Sequence, residues 1–241
     1  MSDATSVPGK AALVSIILPV HNQQEHIESV VRAYLAALGD VPAPCELILV
    51  TNACRDSSPE ICDRLAAEDE RVRHEPIEQA GWGAAVRAGI AVARGDLLCY
   101  TNSARTTPQI LTLLLLYATV YPDVVVKANR RIRDSKRRRL VSLLYNLECR
   151  ALFDLSVWDV NGTPKVFPRS FDRLLALERD DDLIDAEFVA VCREADYPVI
   201  EVPILATVRY GGRSTTGYGS AARMYAGALR LWRERRAGDG G

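Results

Sequence analysis

The chain has 241 residues, the size of one ordinary domain. Its 48% hydrophobic and 25% charged residues exclude wholesale disorder and a collagenous chain. A formal net charge of -1, from 30 Lys and Arg against 31 Asp and Glu, argues against a general nucleic-acid binder. Six cysteines (45, 54, 62, 99, 149 and 192) form no CxxC pair and read as reduced, partly buried thiols of a cytosolic protein. His21, His26 and His74 are too scattered to suggest a metal cluster. The N-terminus has one basic residue, Lys10, before its first apolar run and does not read as a signal peptide. The most apolar stretch, Ile110 to Val120, is about half the roughly 20 residues of a spanning helix. No transmembrane segment is expected, while attachment to a membrane surface stays open.

In chain order, Leu13 to Val20 is an apolar run suited to a strand buried on both faces. From Glu25 the period changes, and Ile27, Val30, Val31, Tyr34, Leu35 and Leu38 form one helical stripe. Glu46 to Val50 is the next strand. Ser57-Ser-Pro-Glu60 then marks a helix start, with Ser57 expected to cap it. Val86, Ile90 and Ala93 stripe a third helix, and Asp96 to Tyr100 returns to strand. Thr107-Pro108 opens an apolar helix through Tyr117, and Val124 to Ala128 is strand-like. The second half is less regular. A basic run (127–139) precedes Leu140, Leu143, Leu144 and Leu147 at helical spacing, and these leucines are expected to face the core. Asn161 to Arg169 contains Pro and Gly, a helix is expected near Ile184 to Ala195, and Val199 to Ile204 is a strand. A Gly-rich stretch (211–219) leads into a last amphipathic helix.

This alternation predicts an α/β fold with a mostly parallel central sheet flanked by helices, whose ligand sits at the carboxyl ends of the strands. The loops after the first, second and central strands (21–24, 51–56 and 101–107) therefore matter most. Asp180-Asp-Asp182 reads as a solvated loop.

The order of motifs resembles the family 2 glycosyltransferases of GT-A fold, in particular the dolichol-phosphate mannosyltransferase-like branch. The similarity runs from about Val14 to about Ser214. It rests on Val14-Ser-Ile-Ile-Leu-Pro-Val-His-Asn22, on Gly81-Trp-Gly-Ala-Ala-Val-Arg-Ala-Gly89 with Ala93-Arg-Gly-Asp96, on Asp185-Ala-Glu187, on Glu201-Val-Pro203 and on Arg209-Tyr-Gly-Gly-Arg-Ser214. The resemblance implies one GT-A (Rossmann-like) domain over 13–236, with a nucleotide-binding half (13–128), an acceptor-side half (129–236) and flexible ends (1–12 and 237–241). It implies an inverting transfer from a UDP- or GDP-sugar, with the donor held by Pro19, His21, Asn22, Asn52, Asp56, Gly81, Gly83, Arg87, Asn102, Ser103, Arg209 and Ser214.

Two departures change the expectation. After the second strand, Thr51-Asn-Ala-Cys-Arg-Asp56 carries Asn52 where the family has a carboxylate; Asn52 and Asp56 either hold the nucleoside or close an Asx-type turn. The family's central strand ends in Asp-x-Asp, which holds Mg2+ or Mn2+, whereas Asn102-Ser103-Ala104 here contains no carboxylate. A metal is therefore disfavoured, no other cofactor is expected, and Arg105, helped by Arg209 and Arg213, is the candidate for stabilising the leaving diphosphate. The alternative for Arg105 is a solvated loop charge.

The basic run, Arg130 and Arg131 above all, is expected to meet an anion. The resemblance points to a polyprenyl-phosphate acceptor at an anionic membrane surface, while a soluble pathway intermediate stays open. Asp159 and Asn161 are candidates for the sugar or acceptor, with Trp158 as a stacking face. Asp185 and Glu187 are the candidate acid/base residues, needed only for a hydroxyl acceptor. The expected location is the cytoplasm, with peripheral attachment to the inner face of a membrane. Two rivals stay open: a nucleotide-sugar-binding protein without catalysis, and a nucleotidyltransferase on a related scaffold.

Overall fold

The computed structural model describes residues 13–132, 136–205 and 218–238. Its strands are β1 (Val14–Val20), β2 (Cys45–Asn52), β3 (Val72–Ile77), β4 (Leu97–Tyr100), β5 (Val125–Ile132), β6 (Lys165–Pro168) and β7 (Val199–Leu205). The helices are α1 (Ile27–Ala37), α2 (Ser58–Glu68), α3 (Trp82–Val92), α4 (Pro108–Val120), α5 (Lys136–Phe153), α6 (Ile184–Glu194) and α7 (Tyr218–Gly238). The strands form one sheet in the order β3-β2-β1-β4-β6-β5-β7. Among the described strands only β6 pairs antiparallel with its neighbours, so the architecture is the expected mostly parallel α/β one.

Period-2 alternation divides the strand side chains between two cores. Ile16, Leu18, Leu47, Leu49, Cys99 and Val126 meet α1, α2 and α4 on one face. Ile17, Ile48, Val50, Tyr100, Val125 and Phe167 meet α3, α5, α6 and α7 on the other. Being covered on both sides is why β1 and β2 read as unbroken apolar runs.

Helix starts follow local chemistry, with one correction. Thr107-Pro108 opens α4 as expected, with Pro108 in the first turn and the Thr107 hydroxyl capping the helix by accepting from the Ile110 N–H at 3.1 Å. At α2 the Ser57 side chain makes no cap bond; Asp56 instead accepts from the Ser58 N–H at 3.1 Å. A carboxylate is the stronger acceptor for an N–H at a helix start.

A second correction concerns α5. Leu140, Leu143, Leu144 and Leu147 are between 46% and 57% exposed, while Tyr145 and Cys149 supply the buried side of the helix. Helical spacing alone marks a stripe, not the surface it faces. Among the described residues no helix is long and apolar enough to cross a membrane. All six cysteines are free thiols, four of them buried.

Candidate active site

The carboxyl ends of β1, β2 and β4 bring the predicted donor loops together, and their polar groups bond to one another. Asn52, at the end of β2, donates from Nδ2 to the Val20 carbonyl (2.9 Å) and accepts the Gly81 N–H (3.3 Å). Its amide thus ties β1 to the entry of α3, where neither a turn nor a free base-reading group had been distinguished from sequence. His21 bonds through Nδ1 to the Asn52 carbonyl at 2.6 Å, and Asn22 Nδ2 lies 3.0 Å from His21 Nε2. Asn22 adopts a φ of 50° and accepts the Arg55 N–H at 2.8 Å. Asp56 accepts from the N–H groups of Gln24 and Ser58, which crosslinks the β1 and β2 loops. Burial acts against its ionisation, but hydrogen bonding from the Ser58 side chain and then from these N–H groups wins, and its pKa lies below the usual carboxylate value. Pro19 is the penultimate residue of β1 and pairs with Val50.

Gly81 and Gly83 make room for the chain's own 178–181 segment. A side chain at Gly83 would bring Cβ to 2.1 Å from the Arg179 carbonyl oxygen. Gly81, at φ 147°, would meet the Asp180 carbonyl oxygen at 2.2 Å. That same carbonyl accepts the Ala84 N–H at 2.9 Å. Arg87 pairs with Asp180 and donates to the Glu178 carbonyl, and Gln79 donates to Asp180 at 2.8 Å. Asp180, though partly exposed, therefore crosslinks its loop to α3, while Asp181 and Asp182 are exposed as expected. A cleft of about 310 Å³ lies between Ala80-Gly81 and residues 178–181.

The loop after β4 closes on itself. Asn102 accepts the Ala104 N–H through Oδ1 (2.9 Å), Ser103 Oγ donates to Gln23 (2.5 Å), and Thr101 donates to Thr106 (2.8 Å). The Asn102 carbonyl accepts the N–H groups of Arg105 and Thr106, which sets Arg105 at the tip of this turn. Each side-chain oxygen here is neutral and already engaged. Among the described residues no group of three His, Cys, Asp or Glu is placed to hold a metal ion. The described side chains of this loop offer a divalent cation none of the charged oxygen ligands that offset its dehydration.

The acceptor-side candidates form two buried ion-pair clusters. Arg130 forks onto Asp159 with both contacts at 2.7 Å, and its backbone N–H adds a third bond at 2.9 Å. Burial works against the guanidinium charge, but Asp159 outweighs it and raises the Arg130 pKa. Glu201 gathers Lys127 (2.9 Å), Asn129 (3.3 Å) and the N–H groups of Trp158 and Asp159. Trp158 is half-exposed, with the Arg150 guanidinium 3.9 Å above its ring. Asn161 Oδ1 is buried with no hydrogen-bond partner among the described residues.

In the first turn of α6, Asp185 and Glu187 do different things. Glu187 is 2% exposed and accepts the N–H groups of Glu178 and Arg179 at 2.9–3.1 Å, which holds the segment that packs on α3. Asp185 pairs through Oδ1 with the buried Lys165 and accepts the Tyr100 hydroxyl at 2.9 Å. Burial, then the Asp185 charge, keeps the Tyr100 phenol well above its ordinary pKa. Sequence reading missed Lys165 and Tyr100; the alternation of β4 and β6, had β6 been recognised, was the signal for them. Arg209, Arg213, Ser214 and the side chain of Arg131 lie outside the described residues.

Residues 15–175 match the model of glycosyl transferase family 2. The chain belongs to that family. Among curated family relatives, glycosyltransferase AglD of Haloferax volcanii is 31% identical over 202 residues, covering 79% of this chain and 32% of that protein. An undecaprenyl-phosphate 4-deoxy-4-formamido-L-arabinose transferase of Pseudomonas fluorescens is 30% identical over 167 residues, covering 68% of this chain and 49% of the relative. This family 2 chain thus spans only about a third to a half of their length. The fold resembles that of glucosyl-3-phosphoglycerate synthase from Mycobacterium tuberculosis, solved with Mn2+, uridine diphosphate and phosphoglyceric acid. That match has a TM-score of 0.69 at 17% identity and covers 90% of this chain and 76% of the other.

Proposed function

We propose that this family 2 chain transfers a sugar from a nucleoside-diphosphate sugar to a polyprenyl phosphate at an anionic membrane surface, with inversion and without a divalent metal. The acceptor phosphate oxygen attacks the anomeric carbon, the bond to the donor's β-phosphate oxygen breaks, and the nucleoside diphosphate leaves. A phosphate is already ionised at neutral pH and needs no base, which suits a site whose Glu187 is fully engaged by backbone N–H groups. Asp185 would then accept a hydrogen bond from a hydroxyl of the bound substrates.

The observation that carries the acceptor reading is the half-exposed leucine row on α5, immediately after the basic run 136–139. Cations beside an exposed apolar face suit an anionic bilayer surface and a lipid phosphate lying in it. The similarity to an undecaprenyl-phosphate 4-deoxy-4-formamido-L-arabinose transferase supports this reading. Metal independence rests on the donor set of the β4 loop, with Arg105 at its tip as the fixed charge for the departing diphosphate. For Arg130 to grip a phosphate, the acceptor must replace Asp159 on its fork; an exchange of one anion for another keeps the guanidinium paired.

The test is a panel of UDP- and GDP-sugars offered with undecaprenyl phosphate in anionic vesicles or with soluble hydroxyl acceptors. Formation of a lipid-phosphate-linked sugar supports the reading. A nucleotide sugar that binds and stays intact would favour the non-catalytic alternative.

A further inference from the structure

Tyr100, Lys165, Lys127 and Glu201 stand side by side on β4, β6, β5 and β7, as the pairings Tyr100–Lys165, Lys127–Lys165 and Lys127–Glu201 require. All four point to the face covered by α3, α5, α6 and α7. Both lysines are fully buried. A buried ammonium costs several kcal/mol unless it is well paired, so a sheet core would ordinarily carry Leu or Val at such positions. The row begins at the last residue of β4, directly before the donor loop.

The two lysines are bound differently. Lys127 donates to Glu201 (2.9 Å), to the Ala128 carbonyl (3.3 Å) and to the Asp159 carbonyl. Lys165 has one hydrogen-bonded anion among the described residues, Asp185, and it shares Oδ1 of that carboxylate with the Tyr100 hydroxyl. The second oxygen, Oδ2, has no hydrogen-bond partner among the described residues. A carboxylate fixed through one oxygen by a cation and a phenol presents the other in a set direction.

We propose that Lys165 is a positioning residue: its ammonium, together with the Tyr100 hydroxyl, clamps Oδ1 of Asp185 so that Oδ2 is aimed at a substrate hydroxyl. This rests on the transferase reading above and deepens it. The groups facing Lys165 are Tyr100 from β4, Lys127 from β5, Asp185 and Cys192 from α6, and Asp159 from the segment before β6. Burial pulls the Lys165 pKa down to about 8; Asp185 opposes this and Lys127 adds to it. The clamp is therefore intact at neutral pH and released as the pH rises through that value.

The experiment compares the full chain with Lys165→Met, Lys165→Arg and Lys127→Met. The Lys165 ammonium titration is followed by nitrogen-15 NMR without substrate in the wild type and in Lys127→Met, and cleavage of UDP-glucose and GDP-mannose with undecaprenyl phosphate is followed against pH. Lys165→Met should slow transfer by roughly 10²-fold, the usual effect of a misplaced group. Lys165→Arg should recover most of the rate. Lys127→Met should move the alkaline limb of the rate, and the titration of Lys165 itself, to higher pH. A transfer rate indifferent to Lys165→Met, or a Lys165 titration unmoved by Lys127→Met, overturns the proposal. If Lys165→Met fails to fold, the Lys127→Met shift decides. Absence of cleavage in every protein, wild type included, would count against the transferase reading, while the substrate-free titrations still judge the clamp.

Discussion

Glu187 accepts two backbone N–H groups of the segment that lies over Gly81 and Gly83. Its removal should therefore act on stability before chemistry. Glu187→Ala is expected to lower the unfolding free energy by about 1–3 kcal/mol, because the two donors lose their acceptor. Glu187→Gln should cost less, since an amide oxygen still accepts. Urea unfolding measures both, and an alanine variant within about 0.5 kcal/mol of wild type would mean that the segment finds other partners. The sequence marked Glu187 by its motif and left its role undivided from that of Asp185, two residues away. What separates them is the neighbour each meets: a peptide segment for one, a lysine from another strand for the other. Such partners are long-range and leave no trace in local spacing. Asn52 is the same case, since its two bonds reach β1 and the entry of α3.

At the scale of elements, β1, β2 and β4 were legible because they are buried on both faces. β3 was not, because Val72-Arg-His-Glu-Pro-Ile77 is an edge strand whose polar residues and Pro76 fit an unpaired side. β6 was hidden by a lysine that is buried only because Asp185 pairs with it. Helices α1 and α2 were legible, and they are joined on the surface by Glu28 with Arg32 and Arg64, and by Glu68 with Arg32. The hydrogen bonds from Arg64, then Arg32, lower the Glu28 pKa to about 2. A depressed carboxylate stabilises the fold above its ordinary pKa, and that contribution is lost as the pH falls through the folded value. Glu28→Gln should thus lower the melting temperature slightly at neutral pH, with the difference from wild type closing between about pH 4.5 and 2. The difference should also shrink in high salt, because the pair is exposed. A difference independent of pH would remove the ion pairs from the account.

The α5 leucines make a separate prediction. Replacing Leu143 and Leu144 by Gln removes exposed apolar surface and should leave the melting temperature nearly unchanged. Sedimentation with phosphatidylglycerol vesicles should nevertheless weaken by roughly tenfold or more, about 1 kcal/mol for each half-buried leucine. Unchanged vesicle affinity would make this row a solvated surface. A fall in melting temperature of several degrees would instead return the leucines to the core.

For the whole molecule, the parallel strands bring three loops to one end of the sheet, where family 2 membership leads a donor site to be sought. That much was legible from the order of strands and helices. The loop chemistry is what sets this chain apart: Asn102, Ser103 and Thr101 bond within the protein, and no carboxylate stands among them. The account therefore turns on whether sugar transfer proceeds without a divalent ion. The most direct measurement is release of nucleoside diphosphate from the donor found in the panel, with undecaprenyl phosphate present, before and after excess EDTA. The expected result is a rate changed by less than about twofold, because a fixed guanidinium needs no metal. Abolition of release by EDTA, with recovery on adding Mn2+, would contradict the account.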